Sequence, residues 1–219
     1  MKYTAIYLFT ALAAISLLSS CKKDTEIENA NQVGSSKIIY FPSIAINGDA
    51  VYMVQPGQTF TDPGAVAILN GDTTKYTVTG TVGTAPGIYN LTYTAVNAQG
   101  YSATDIRSVV VLDPSVLSND FSGTYTRYTA GVAGATSTWT KIGPGEYTVE
   151  NPGGAAGVTG TVIAVNYNGN DIAIPLQNSS IGLTSSSGEV PILTGTAFTG
   201  YKWVIVNAGY GPSVREFDK

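Results

Sequence analysis

Turn-forming residues interrupt this chain at short intervals from Lys37 to its end, and no other feature constrains the fold as strongly. Residues 47–49 and 70–72 both read Asn-Gly-Asp, residues 168–169 read Asn-Gly, and short runs rich in Val, Ile, Thr and Tyr lie between such turns. Turns spaced about 8–15 residues apart without a helical period are typical of antiparallel sheets. The sequence therefore predicts an all-β protein.

The first 20 residues have the layout of a secretory signal peptide. Lys2 precedes an apolar run from Ile6 to Leu18, and residues 17–21, Leu-Leu-Ser-Ser-Cys, resemble the lipobox of bacterial lipoproteins. The run of about 13 apolar residues is shorter than the roughly 20 that span a bilayer. The resemblance implies cleavage before Cys21 and lipidation of Cys21, so the membrane is an expected partner through the N-terminal lipid.

Residues 21–36 have little apolar content and cannot bury a core, so we expect a flexible tether. Residues 22–26, Lys-Lys-Asp-Thr-Glu, loosely resemble an export tag that sends lipoproteins of some Gram-negative anaerobes to the outer face. That resemblance implies a lipid-anchored, surface-exposed protein of the outer membrane in the cell envelope. The alternative is a solvated, flexible segment that carries no export signal.

Two absences from the sequence exclude much catalytic chemistry. The chain has no histidine and its one cysteine is Cys21, which excludes Ser-His-Asp triads, His-ligated zinc and disulfides in the folded part. A net charge of −4 with scattered cations gives no basic stripe for nucleic acid. We expect no enzyme, no catalytic residues, no cofactor, no metal and no nucleic-acid partner.

Motifs at residues 57–64, 80–82, 86–89 and 93–100 follow one another in an order that resembles the immunoglobulin-like (Ig-like) domain of bacterial surface proteins related to hyalin-type repeats. The resemblance covers roughly residues 46–112. It implies an Ig-like β-sandwich that serves as a spacer or adhesive module. The domain is predicted over residues 37–112, with a first strand at residues 38–41, and it contains neither tryptophan nor a disulfide.

Within this domain, Tyr89, Leu91, Tyr93 and Ala95 alternate onto one face of a predicted strand, which we interpret as the core face. Tyr89 lies two residues before Leu91, which stands where a disulfide cysteine would be in antibody domains. This spacing matches the tyrosine corner of Ig-like sandwiches.

Proline and small or polar residues at 113–120 predict a flexible linker between two separately folded domains. About eight strands follow in residues 121–219, among them residues 180–183, with the last at residues 201–208. They form a second antiparallel β-domain, either a small barrel or a sandwich. Residues 121–125 and 145–149 resemble the uncharacterised C-terminal domain that accompanies Ig-like modules in surface lipoproteins.

Two polar clusters in the second domain are weak candidates for catalysis or metal binding. Glu146 and Glu150 share a strand face, but at about 3.3 Å per residue their backbones would be roughly 13 Å apart, too far for glycoside hydrolysis. Oxygen ligands of the kind that calcium takes are carried by Asn166, Asn168, Asn170 and Asp171, yet a hairpin turn explains them without a metal. We interpret both groups as structural.

Aromatic side chains are the main candidate for ligand binding. Both tryptophans lie in residues 121–219, and the candidate contact residues are Trp139, Trp203, Tyr201 and Tyr210. Core packing is the alternative for each ring. The favoured hypothesis is a non-enzymatic surface lipoprotein whose Ig-like spacer presents a β-domain for glycan or protein binding, by resemblance to lipoproteins of polysaccharide-uptake systems. The alternative is a structural adhesin or assembly subunit that pairs exposed sheet edges and has no small-molecule ligand.

The lipobox yields the first testable prediction. Replacing the thiol by a hydroxyl in Cys21→Ser removes the lipid acceptor, so the protein should lose metabolic acyl labelling and leave the membrane fraction. Ser20→Ala keeps a small residue before the cysteine and is the matched control, with labelling retained. Acyl labelling that survives in Cys21→Ser would contradict the prediction.

Overall fold

The computed structural model describes residues 32–33 and 36–219, which belong to two compact units, Met1–Tyr40 and Phe41–Lys219. In the first unit, strands β1 (Gln32–Val33) and β2 (Ser36–Lys37) pair antiparallel. The predicted signal peptide, Cys21 and most of the predicted tether lie outside the described residues.

The unit Phe41–Lys219 is built from strands, which confirms the predicted all-β class. Its strands in chain order are β3 (Ser43–Ile46), β4 (Val51–Val54), β5 (Ala65–Leu69), β6 (Asp72–Thr74), β7 (Tyr76–Thr79), β8 (Gly87–Val96), β9 (Ser102–Val111), β10 (Gly123–Thr129), β11 (Val132–Gly143), β12 (Glu146–Glu150), β13 (Thr161–Asn166), β14 (Ile172–Ala173), β15 (Gln177–Ser179), β16 (Gly182–Thr194), β17 (Ala197–Val206) and β18 (Arg215–Asp218). None of the helices in the described part of the chain is long and apolar enough to cross a membrane.

Strands β3 to β9 form the Ig-like sandwich. One sheet has the order β3-β5-β6 and the other the order β4-β9-β8-β7, with β4 parallel to β9. Leu91, Tyr93 and Ala95 are buried, as the alternation predicts, and the Tyr89 hydroxyl donates to the Ala85 carbonyl at 2.9 Å. The core face and the tyrosine corner are therefore confirmed.

A fully buried arginine ties the loops of the sandwich to its strands. The Arg107 guanidinium donates to the carbonyls of Asn47 at 2.7 Å and Asp49 at 2.8 Å, and its Nε donates to the Tyr93 hydroxyl at 3.2 Å. Tyr93 in turn donates to Asp62 Oδ1 at 2.6 Å, and this oxygen lies 3.7 Å from Arg107 Nε. The buried charge thus has both a counter-ion and hydrogen-bond acceptors, which compensates its loss of hydration.

Strands β10 to β18 form one antiparallel sheet in the order β14-β13-β12-β11-β10-β18-β17-β16-β15, hereafter the β-domain. The sheet curls on itself around an aromatic core. Near its two ends, Ser186 N donates to the Ile174 carbonyl at 3.1 Å and Ile163 N donates to Gln177 Oε1 at 2.8 Å. Of the two predicted architectures, a barrel or a two-sheet sandwich, the curled sheet lies nearer the barrel.

Two strand predictions are wrong, and a central strand was missed. Residues 38–41 form no strand, residues 180–183 contain the turn that joins β15 to β16, and β18 was not predicted. Strand β18 has the sequence Arg-Glu-Phe-Asp. Because three of its four residues are charged, the sequence gives no sign that it is a central strand. Pairing with both β10 and β17 supplies its stability, and that pairing joins distant parts of the chain.

The segment predicted as a flexible linker contains a 3₁₀ helix, Pro114–Ser118. Asp113 caps it by accepting from Ser115 N at 2.8 Å. Val116 of this helix is fully buried among Val51, Val110 and Leu112 of the sandwich and Val165 of the β-domain. We call these five residues the seam.

Two hydrogen bonds also cross the seam. Asp113 N donates to the Tyr167 carbonyl at 2.8 Å, and Ser108 Oγ donates to the Leu176 carbonyl at 2.7 Å. Gly145 packs against Leu112 and Val116 with φ +63°, and a Cβ there would stand 2.3 Å from the Asn166 carbonyl oxygen. The two domains are therefore joined by packed side chains as well as by the chain itself.

The seam generates a prediction about cooperativity. A carboxylate in Val116→Asp regains water only if the domains separate, so we expect two unfolding transitions in place of one and new proteolytic cleavage within residues 113–120. Leu117→Asp is the matched control, because Leu117 is the next residue and is 54% exposed. A single unfolding transition in Val116→Asp, with the same midpoint as in the wild type, would contradict the conclusion that the seam couples the two domains.

Candidate functional site

The predicted aromatic platform is wrong for three of its four residues. Trp139, Trp203 and Tyr201 are 1%, 0% and 0% exposed, so their rings cannot stack on an external ligand. The inward face of the sheet brings them together: the Trp139 and Trp203 rings stack at 5.5 Å, and Tyr201 meets Trp203 edge to face at 4.6 Å. These rings are the core of the β-domain.

The polar groups of the aromatic core hold the structure together. Trp203 Nε1 donates to the Pro152 carbonyl at 2.9 Å, which fixes the β12–β13 connection over the core. Burial raises the pKa of Tyr147 to about 12 and raises the pKa values of Tyr125 and Tyr201 as well. These phenols therefore stay protonated at neutral pH, and none of them can act as a base.

Tyr210, the fourth candidate, lies half-buried against the edge of this core. The Arg215 guanidinium lies over its ring, 5.0 Å from the centroid. The ring is also close to Gly153, where a Cβ would come within 2.1 Å of Tyr210 Cε1. Tyr210 is thus packed on two sides and offers no open platform.

One end of the β-domain carries a concave surface, which we call the end groove. Two adjoining hollows of about 350 and 400 Å³ form it, and both include Ser118, Asn119, Phe121 and Thr196. The Phe121 and Phe198 rings stack at 4.3 Å beneath it and are almost completely buried. Its rim therefore presents amides and hydroxyls above an apolar floor.

The rim of the end groove is held in place by hydrogen bonds. Asn119 Nδ2 donates to Asn166 Oδ1 and to the Gly169 carbonyl, both at 2.9 Å. A hydrogen bond from the Ser122 side chain, and secondarily the one that Ser122 N donates to Asp120 Oδ1, lowers the pKa of Asp120 and keeps it ionised. Asn170 and Thr196 are exposed at the rim. The groove can therefore offer hydrogen bonds to a polar ligand.

A larger cleft of about 640 Å³ lies in the sandwich. Phe60, Val78, Val82 and Leu91 contribute apolar surface, and glutamines and threonines border it. The predicted ligand contacts all lie in residues 121–219, so this cleft was not predicted from the sequence. The sequence does contain residues that could have indicated the cleft, because the motifs at residues 57–64 and 80–82 contribute to its lining.

The two polar clusters are structural. Glu146 pairs with Val165 at one end of β12 and Glu150 pairs with Thr161 at the other; burial, and secondarily the charge of Asp49, raises the pKa of Glu146. Asn168 Oδ1 accepts from the backbone N–H of Asp171 at 2.7 Å, as in a hairpin turn. Among the described residues, no three His, Cys, Asp or Glu side chains are grouped as metal ligands.

The core assignment predicts the effect of removing an indole. Trp203→Ala should destabilise the protein by about 3–5 kcal/mol through the cavity that it leaves, measured by denaturant unfolding. Val206→Ala on the same strand is the control, because Val206 is 48% exposed and points outward. An unchanged unfolding midpoint for Trp203→Ala would contradict its burial.

Comparisons with known proteins give one match that covers the sandwich. No curated protein matches the chain. Among solved structures, the chain is similar to the lipoprotein BT2262 from Bacteroides thetaiotaomicron, with 26% identity over 82% of this chain and 100% of that chain, at a TM-score of 0.37. Residues 44–111 match the family model described as bacterial surface protein, Ig-like domain, which confirms the resemblance seen in the motifs. The sandwich is thus similar, in sequence and architecture, to the Ig-like domain of bacterial surface proteins.

Proposed function

We propose that this protein is a non-enzymatic lipoprotein of the bacterial cell surface that uses its β-domain to capture a glycan or a protein. Cys21 would carry the lipid, and the outer membrane is the proposed location. The observation that carries the proposal is the seam, because Val116 and its four neighbours bury apolar side chains from both domains. A sandwich packed in this way would act as a stiff spacer for the β-domain.

The end groove is the proposed contact surface, in place of the tryptophans. Its rim combines the exposed amide of Asn170 and the exposed hydroxyl of Thr196 with the ordered amide of Asn119. Glycans present hydroxyl groups that both donate and accept hydrogen bonds, and amide and hydroxyl side chains match both roles. The nearly buried phenyl rings beneath supply an apolar floor.

Binding to a glycan array tests this proposal. We expect the soluble protein, residues 22–219, to bind one class of neutral or acidic glycan, and Asn170→Ala with Thr196→Ala to reduce the affinity about tenfold through loss of two hydrogen bonds. Thr129→Ala is the control, because Thr129 is exposed at the opposite end of β10 from the groove. Glycan binding that both rim substitutions leave unchanged would overturn the assignment to the end groove.

A structural subunit without a small-molecule ligand is the second candidate, and strand β7 favours it. This strand lies at the edge of its sheet, reads Tyr-Thr-Val-Thr, and carries no proline, charge or bulge within its bounds. By contrast, β16 continues past its pairing with β15, which ends at Thr184, and this remaining part contains Pro191 and two register shifts along its pairing with β17. Such devices prevent edge-to-edge pairing, and β7 lacks them.

The same protein sample separates the two candidates. A structural subunit should give no glycan signal and should self-associate in sedimentation experiments, and Thr77→Pro should abolish the association because proline removes a backbone donor. Glycan binding by a protein that sediments as a monomer supports capture and excludes edge pairing as the primary role.

A further inference from the structure

Two arginines lie together on the inward face of the β-domain, at the end away from the end groove. Arg127 is paired with Phe217 across β10 and β18, and Arg215 lies two residues before Phe217 on β18. The two side chains are therefore diagonal neighbours on one sheet face, with Cβ atoms about 7 Å apart. Arg215 is 6% exposed, whereas Arg127 is half-buried and reaches solvent.

Neither arginine has a carboxylate partner in the described part of the chain, where the ion pairs are Asp62–Arg107 and Lys202–Glu216. Arg127 Nη1 donates only to the carbonyls of Gly153 at 3.1 Å and Gly154 at 3.4 Å. Arg215 Nη1 donates to the carbonyls of Ser213 at 2.8 Å and Gly211 at 3.4 Å, and its Nη2 donates to the Gly211 carbonyl at 3.5 Å. Carbonyls accept these hydrogen bonds but leave both positive charges uncompensated.

Three further donors at this place have no acceptor among the described groups. They are the Nε atoms of Arg127 and Arg215 and the hydroxyl of Tyr210, over whose ring the Arg215 guanidinium lies. Burial, and secondarily the positive charge of Arg127, lowers the pKa of Arg215. Two neighbouring like charges with unused donors are destabilising in the free protein, and a negatively charged acceptor would relieve both costs.

We propose that Arg127, Arg215 and Tyr210 form a binding site for an oxyanion, which would be the carboxylate or sulfate group of an acidic ligand. Guanidinium groups bind planar carboxylates and sulfates through paired hydrogen bonds, and the Tyr210 hydroxyl adds a neutral donor. Gly153 and Gly154 border the site next to Tyr210 and Arg127, and the Gly211 carbonyl borders it next to Arg215. This inference goes beyond the proposed capture function and does not depend on the end groove.

Isothermal titration calorimetry on residues 22–219 tests the site with four probes: inorganic sulfate, glucuronate, glucose 6-sulfate and neutral glucose. We expect at least one of the three oxyanions to bind and glucose not to bind at this site. Glucuronate binding alone would identify a carboxylate ligand, and binding of the two sulfates alone would identify a sulfated ligand. Absence of binding by all three oxyanions would overturn the proposal.

Substitutions locate the binding. Arg127→Gln keeps an N–H donor for the Gly153 carbonyl but removes the charge, so oxyanion affinity should fall at least about tenfold. Arg127→Lys keeps the charge without the planar fork and should have an intermediate affinity. Lys202→Gln is the matched control, because Lys202 is a cation on the neighbouring strand that is already paired with Glu216. Wild-type affinity in Arg127→Gln, with the control also unchanged, would overturn the site.

Discussion

The structure of residues 41–219 depends on the burial of Val116 between the Ig-like sandwich and the β-domain. Val116 belongs to a single turn of 3₁₀ helix, which has almost no stability of its own, and the apolar side chains of both domains hold it in place. Because the helix and the seam stabilise each other, the orientation of the sandwich relative to the β-domain is part of the fold. In the proposed role of spacer, the sandwich would therefore fix the orientation of the β-domain as well as its distance from the membrane.

Aromatic rings supply most of the core of the β-domain, which contains no cysteine. Trp139, Trp203 and Tyr201 pack with Phe198 and Phe217 at ring distances that aromatic side chains favour. The same packing removes these rings from the surface, and the proposed ligand contacts lie instead at the two ends of the curled sheet. The end groove and the arginine pair occupy those two ends.

The buried or half-buried arginines of the described residues have two different environments. Arg107 in the sandwich has Asp62 as counter-ion and Tyr93 as acceptor, and its charge stabilises loops. Arg127 and Arg215 have carbonyls alone. An interior cation with a counter-ion is a structural element, whereas paired cations without one retain binding capacity for an anion.

The sequence by itself determined the strand content, the tyrosine corner and the core face of β8, because alternation and turn residues are local signals. It also contained an unused signal: residues 109–112 and 162–165 are unbroken apolar runs, and the structure buries both faces of them. Val109 enters the sandwich core and Val110 the seam, while Val162 enters the aromatic core and Val165 the seam.

Tertiary structure alone decided which aromatic rings are buried, that β18 is a central strand, and that Arg127 and Arg215 are neighbours. Tyr201, Trp203 and Ile205 alternate with Lys202, Val204 and Val206, and an alternation with apolar residues on both faces does not identify the inner one. The pairing of β18 with β10 joins residues about 90 positions apart in the chain. Contacts of that range depend on how the whole sheet curls, which no short stretch of sequence encodes.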